Sequence, residues 1–404
     1  MSDFYQTGVI TTLHNLGKQS LERLELELRE YSKIRPITLV LPALFSEFEG
    51  PAMPSIVEEL SKVKYIDEIV LVLDNASEKD FQKTKSFMSP IPYNVMIINN
   101  SGKRIGEIYA TIARNGLEVG QQGKGRSAWL AYGYIIARNQ SDVIVLHDCD
   151  ILNYSRDLLA RLCYPVVNPN LDYVFCKGFY SRVTDRMHGR VTRLLVTPLI
   201  RSLQVIYGEH GFLKFLDSFR YPLAGEFCMI TDMARVNRIP WDWGLEIGSL
   251  AEVYRNYSPR RVCQVDIADT YEHKHQSLSA DDPEKGLMKM AIDICKSIFQ
   301  TLATEGVVFN DGSFKSLAVT FLRHAEDTIM RYEADATING LIFDRHEEAK
   351  AVEAFTKGIA LAAQMYLENP LGTPLIPNWN RVTSAIPTIL QMLKVAVEED
   401  NKFQ

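Results

Sequence analysis

The chain has 404 residues, enough for two or three folding units and for a core that needs no disulfide staples. Apolar residues make up 46% and charged residues 23%, an ordinary globular composition that excludes a collagen-like, coiled-coil or wholly disordered protein. The 44 lysines and arginines against 50 aspartates and glutamates give a net charge of −6, the wrong sign for a general nucleic-acid binder, so an anionic ligand must meet locally placed cations.

Residues 1–35 read as a helical lead-in. Their opening stretch, MSDFYQTGVITTLHNLGK, has neither the basic start nor the apolar core of a signal peptide. No window approaches twenty uninterrupted apolar residues, and even the strongly apolar residues 191–208 are interrupted by Arg193, Pro198 and Arg201, so no membrane span is expected. Cys149, Cys163, Cys176, Cys228, Cys263 and Cys295 stand singly, without a Cys-x-x-Cys pair. That pattern argues for reduced, buried thiols in a cytoplasmic protein and against a zinc site or a disulfide framework.

From residue 36 to 180 short β-branched runs alternate with helical stretches. ITLVLPA (37–43), IDEIVLVLDN (66–75), NVMIINN (94–100) and VIVLHDCD (143–150) read as strands. PSIVEELSKV, opened by Pro54, EKDFQKTKSFM, IGEIYATIARNG and RSAWLAYGYIIARNQ read as the helices between them. Apolar strands separated by helices predict an α/β fold with a mostly parallel sheet covered on both faces. Residues 181–280 continue as a second half, for which YVFCKGFY, FCMITDM and RVCQVDIADTY supply the strands. After residue 280, where SADDP supplies a helix start, four long helix-periodic stretches fill residues 281–404. This apolar helical extension is expected to pack on the catalytic unit or on a second subunit, most simply in a homodimer.

Ligands of such sheets sit beyond the carboxyl ends of the strands. There Asp148-Cys149-Asp150 would project two carboxylates from one face, hard oxygen donors suited to Mg²⁺ or Mn²⁺. Tyr271-Glu272-His273-Lys274-His275 could add an imidazole to that site. Gly123-Lys124-Gly125 precedes a helix and could bring backbone N–H groups to an anion. It is not a phosphate-binding P-loop, because Glu118 stands where the first glycine belongs and Gly125 follows the lysine. His188-Gly189-Arg190-Val191-Thr192 sets an arginine and a hydroxyl at a helix start, a combination suited to phosphate or carboxylate. Glu226 and Glu246 lie in glycine-containing apolar contexts and could orient sugar hydroxyls or pair with a buried cation.

These motifs, LPAL, LDNAS, GKG, DCD, GRVT followed by a proline-containing helix, GE, WGLEIG and HKHxxL, occur in the order seen in glucosyl-3-phosphoglycerate synthases. Over residues 36–280 and into the helical extension the chain resembles that family of retaining GT-A-fold glycosyltransferases, which make the precursor of glucosylglycerate. The resemblance implies that Pro42, Ala43, Leu44, Asp74 and Ser77 cradle the uridine and that Lys124 and Asp148 lie at the nucleotide sugar. It implies that Asp150 and His273 hold the metal. Gly189, Arg190, Val191 and Thr192 would receive the phosphoglycerate, with Glu246 at the donor sugar. Two places depart from the family pattern. Phe45-Ser46 stands for Asn-Glu, with Glu47 following, and the His-x-Asn element is His273-Lys274-His275, so the asparagine's part passes to His275.

The resulting expectation is a metal-dependent glycosyltransferase moving glucose from UDP-glucose or a similar donor to the 2-hydroxyl of 3-phosphoglycerate. Front-face attack fits retention, while Glu226 and Glu246 keep a double displacement open. The alternatives are a mannosyl-3-phosphoglycerate synthase or a direct glycerate glycosyltransferase of the same fold. Outside the class stand a sugar nucleotidylyltransferase, whose glycine-rich loop is replaced here by LPALFSEFEG, and a non-catalytic sugar-nucleotide sensor.

Overall fold

A computed structural model describes residues 5–402 apart from 7, 18–19, 273–277, 280–281 and 373–374. The chain runs β1 (Thr11–Leu13), α1 (Leu21–Ser32), β2 (Ile37–Leu44), α2 (Ala52–Ser61), β3 (Glu68–Asp74), α3 (Glu78–Met88), β4 (Asn94–Asn99), α4 (Lys103–Arg114), α5 (Lys124–Arg138) and β5 (Val143–Leu146). The second half adds α6 (Arg156–Val167), β6 (Phe175–Tyr180), α7 (Thr197–Tyr207), α8 (Gly211–Asp217), β7 (Phe227–Ile230), α9 (Thr231–Val236), α10 (Leu245–Asn256) and β8 (Val262–Ala268). Five helices follow: α11 (Gly286–Thr304), α12 (Asp311–Ile338), α13 (Arg345–Glu368), α14 (Trp379–Ala385) and α15 (Ile389–Asn401).

The eight strands form one sheet in the order β1-β8-β6-β7-β5-β2-β3-β4, parallel except for β7. The alternation of the central strands explains why it is covered twice. Leu39 and Leu41 of β2 with Ile69 and Leu71 of β3 enter one apolar cluster, under α1, α2, α3 and α6. Val40, Val70 and Val72 point the other way, into a cluster shared with α5, α7, α10 and the five C-terminal helices. The C-terminal helices thus close one face of the sheet and share its core. Trp129 of α5 and Trp379 of α14 stack at 4.2 Å, and each indole N–H donates to the other segment's backbone, to Pro377 O and Trp129 O, both at 2.9 Å. Gly133 makes that fit possible, since a Cβ there would fall 2.0 Å from the Trp379 ring.

Three details differ from the sequence expectation. The strand over 143–150 stops at Leu146, and the Asp148–Asp150 segment emerges from the sheet as irregular chain. Helix α11 starts at Gly286 after a cap at Lys285, not at the SADDP proline. The lead-in carries the short strand β1, which pairs with β8 and is too brief to show a period. At the opposite edge of the sheet, β4 pairs with β3 on one side only. There the Asn401 side-chain amide accepts from Ile97 N at 3.0 Å and donates to Ile97 O at 2.8 Å.

Candidate active site

The carboxyl ends of β2, β3 and β5 open onto a cleft of about 780 Å³. Pro42, Ala43 and Leu44 form part of its wall, and Leu44 is 42% exposed although it ends a buried strand. Asp74 ends β3 and accepts from Asn100 Nδ2 at 2.5 Å, Gln122 Nε2 at 2.9 Å and the Ser127 hydroxyl. Asn75, next to it, has φ +52°, the left-handed conformation that asparagine tolerates, and also lines the cleft. Ser77 does not line it. Its hydroxyl caps α3 in a reciprocal pair with Asp80, so its side chain is committed to the helix start.

Beyond β5 the chain alternates. Cys149 turns into the core, while Asp148 and Asp150 face the cleft. The buried His147 ring lies with Nδ1 2.8 Å from Asp148 O; burial pushes its pKa down to about 4, so it stays neutral and donates that bond. Lys124, first residue of α5, reaches Asp148 at 2.5 Å and Glu246 at 3.2 Å. Burial opposes its charge, but Asp148 and Glu246 outweigh burial and hold its pKa above the usual lysine range. Glycines fix this triad. A Cβ on Gly123 or Gly125 would strike the carbonyl of Trp241 or Pro240, at 2.4 and 2.0 Å, so these two serve close packing of α5 against residues 240–241. A Cβ on Gly225 would lie 2.4 Å from Asp148 Oδ2 and 2.7 Å from Lys124 Nζ.

Glu47, from the short 3₁₀ turn after β2, completes an acidic end of the cleft. Burial first, then the Asp150 and Asp148 charges, push its carboxyl up to about 8, and its Oε2 is buried without a hydrogen-bond partner. Hard oxygens held against their own repulsion suit a divalent cation in donor chemistry. Among the described residues no three Asp, Glu, His or Cys side chains converge closely enough to hold one. His273 and His275 lie outside the described residues.

The two glutamates named from sequence part company. Glu246, in the first turn of α10, lines the cleft. Glu226 is fully buried behind the wall and accepts from Tyr180 O–H at 2.8 Å and from the Tyr271 hydroxyl, between two tyrosine rings stacked at 3.8 Å. Burial, then the Asp148 charge, raise its pKa. No sequence pattern distinguishes these two placements.

The cleft lining also carries four cations besides Lys124. Gly189, Arg190, Val191 and Thr192 line the cleft, Gly189 at φ +73°, with Arg182 and Arg186 from the preceding turn and Lys289 from α11. Residues Val191–Val196 form a π-helical turn: Pro198 has no N–H to extend an α ladder, and Thr197 N–H reaches back to Thr192 O. Sequence reasoning named Gly189, Arg190, Val191 and Thr192 and missed Arg182, Arg186 and Lys289. Arg182 and Arg186 sit close before the motif and could have been weighed with it, whereas Lys289, Trp241 and Trp243 enter only through tertiary packing.

No family model matches the chain. It is 51% identical over 401 residues, 99% of either chain, to the glucosyl-3-phosphoglycerate synthase of Persephonella marina, and 37% identical over 99% of its length to the enzyme of that name from Methanococcoides burtonii, covering 98% of it. Among solved structures, the Mycobacterium tuberculosis glucosyl-3-phosphoglycerate synthase in complex with Mg²⁺ and uridine diphosphate superposes with a TM-score of 0.53 over 75% of this chain and 89% of that one, at 21% identity. That likeness carries the fold, a mostly parallel GT-A-type sheet flanked by helices. The full-length identities carry more: this chain belongs to the glucosyl-3-phosphoglycerate synthase family.

Proposed function

We propose that the chain transfers glucose from a nucleotide sugar, UDP-glucose first among them, to the 2-hydroxyl of 3-phosphoglycerate, with retention and with Mg²⁺ or Mn²⁺. The observation that carries the reading is the make-up of the cleft. Its lining joins Pro42, Ala43, Leu44, Asp74, Glu47, Asp148, Asp150 and Lys124 with four further cations, Arg182, Arg186, Arg190 and Lys289. An acceptor bearing both phosphate and carboxylate calls for a wall of several cations in a chain that is acidic overall.

In this reading Pro42, Ala43, Leu44, Asp74 and the turn capped by Ser77 receive the uridine. Asp150 with His273 would hold the cation, and Glu47 lies close enough to Asp150 to feel its charge. The cation, when bound, supplies neutralisation of charge on the departing diphosphate. Lys124 turns its ammonium to the same diphosphate, and Asp148 and Glu246 keep it charged and aimed. Glu246 orients the donor sugar. Gly189, Arg190, Val191, Thr192 and His275 hold the phosphoglycerate so that its 2-hydroxyl faces the anomeric carbon. Glu226, sealed behind Tyr180 and Tyr271, shapes the wall rather than attacking, and Glu246 is paired with Lys124. The reading therefore takes front-face attack. The acceptor oxygen bonds the anomeric carbon as the carbon–phosphate-oxygen bond breaks, and the hydroxyl proton passes to the leaving phosphate.

All six cysteines are buried free thiols, which suits the cytoplasm. Exposed Val319, Leu322 and Met330 share one face of α12 and support pairing with a second copy. The test is a matrix of UDP-, GDP- and ADP-sugars against 3-phosphoglycerate and glycerate, with products identified by mass spectrometry. Glucosyl-3-phosphoglycerate is expected, absent with excess EDTA and restored by Mg²⁺ or Mn²⁺. A mannosylated product, glycerate as the preferred acceptor, or full activity in EDTA would overturn the corresponding part.

A further inference from the structure

The acceptor wall is built by two parts of the chain far apart in sequence. Arg190 Nε–H donates to Glu348 Oε1 at 2.8 Å, and Arg193 Nη2 lies 2.9 Å from Glu348 Oε2. Glu348 belongs to the first turn of α13, and its side chain is only 6% exposed, against 35% for Arg190. The second arginine is fixed in turn. Arg193 Nε donates to His188 O at 2.8 Å, and its guanidinium lies over the Tyr332 ring of α12 at 4.8 Å. Just before α13, Ile342 N–H donates to Asp185 O at 2.8 Å, a backbone bridge between the α12–α13 connection and the turn carrying Arg186.

One buried carboxylate therefore faces two guanidiniums, which leaves one positive charge uncompensated within the trio. Arg190 spends its Nε–H on Glu348, so an incoming anion would take the terminal nitrogens of a fork whose plane is already set. A long, rotamer-rich side chain fixed in this way loses less entropy when it binds. Removing the carboxylate would keep the cation but free its aim.

We infer that Glu348 is the positioning residue of the acceptor site: acting through Arg190, it makes the C-terminal helices part of the phosphoglycerate pocket. The inference rests on the proposed acceptor role of Arg190, and the two are separable by experiment. Steady-state kinetics with each substrate varied would be measured for R190A, E348Q, E348D and the double variant R190A/E348Q, each with a thermal melt. E348Q keeps the shape and removes the charge; E348D keeps the charge and withdraws it by one methylene, a backup should E348Q fail to fold. The KM for 3-phosphoglycerate is expected to rise about tenfold in E348Q and threefold or more in E348D. kcat and the KM for the nucleotide sugar should change less than twofold. The double variant should be no worse than R190A alone, because both changes remove one device. If R190A leaves the acceptor KM unchanged, the assignment of Arg190 falls and the inference with it. If R190A raises the acceptor KM while folded E348Q and E348D do not, the acceptor site stands and the role of Glu348 is overturned. Equal losses for donor and acceptor would reduce Glu348 to a structural ion pair.

Discussion

At the scale of single residues, Gly225 has the clearest consequence. Its missing Cβ leaves room for the contact between Asp148 and Lys124, and the atoms that an added methyl would meet are side-chain ends, not backbone. The substitution G225A should therefore part the ion pair rather than break the fold. It is expected to lower kcat/KM for the nucleotide sugar at least tenfold while moving Tm by no more than about 1 °C, a shift of under ~1 kcal/mol at this chain length. Kinetics and a melt on one sample check both halves, and unchanged turnover would remove Lys124 from the nucleotide site. That Lys124, Asp148, Asp150, Glu246 and Arg190 reach the cleft was legible in the sequence, because strand ends and helix starts announce where charge gathers; Glu47 was named only through the family resemblance. The enclosure of Glu226 and the partner of Arg190 were not legible. Both depend on side chains 45 and 158 positions away, which no local spacing encodes.

At the scale of elements, the helix α11 packs against the loop before α10, and there two carboxylates meet. Burial and the facing Asp242 push the Asp293 carboxyl up to about 6, although Lys289 and Lys296 oppose the shift. The folded chain thus holds this proton more tightly than the unfolded one. The favourable contribution is complete below about pH 4, shrinks as pH rises towards 6, and is a standing cost above it. The substitution D293N, which mimics the protonated form, should raise Tm by about 1–4 °C at pH 7.5 and leave it nearly unchanged at pH 4. A melt series across that range checks the sign; stabilisation greatest at pH 4 would refute it. The period of the long helices and the β-branched runs located nearly every element because each presents a regular apolar face. The exceptions are physical. β1 has three residues, and the π turn at Val191–Val196 answers to Pro198 rather than to a hydrophobic period; β7 was located as a strand, but its antiparallel direction has no local signal.

At the scale of the whole molecule, the C-terminal helices have an inward and an outward task. Inward they share the sheet's core and, through Glu348, hold Arg190 and Arg193 at the cleft. Outward, Val319, Leu322 and Met330 of α12 stay exposed, and pairing with a second copy would cover them. Sedimentation at micromolar concentration should give a dimer, and V319E/M330E should give a monomer of the same fold; a wild-type monomer would count against the pairing. The same extension also sets a clock on biosynthesis. The open edge of β4 is capped by the Asn401 amide, a partner 304 positions later in the chain. At roughly 5–20 residues per second, a ribosome needs about 15–60 s to travel from that strand to Asn401. Throughout that interval the nascent sheet offers an unpaired rim to any other strand. Chains released early by truncation would keep the rim open permanently, so premature termination should surface as aggregation and chaperone load before it surfaces as lost catalysis.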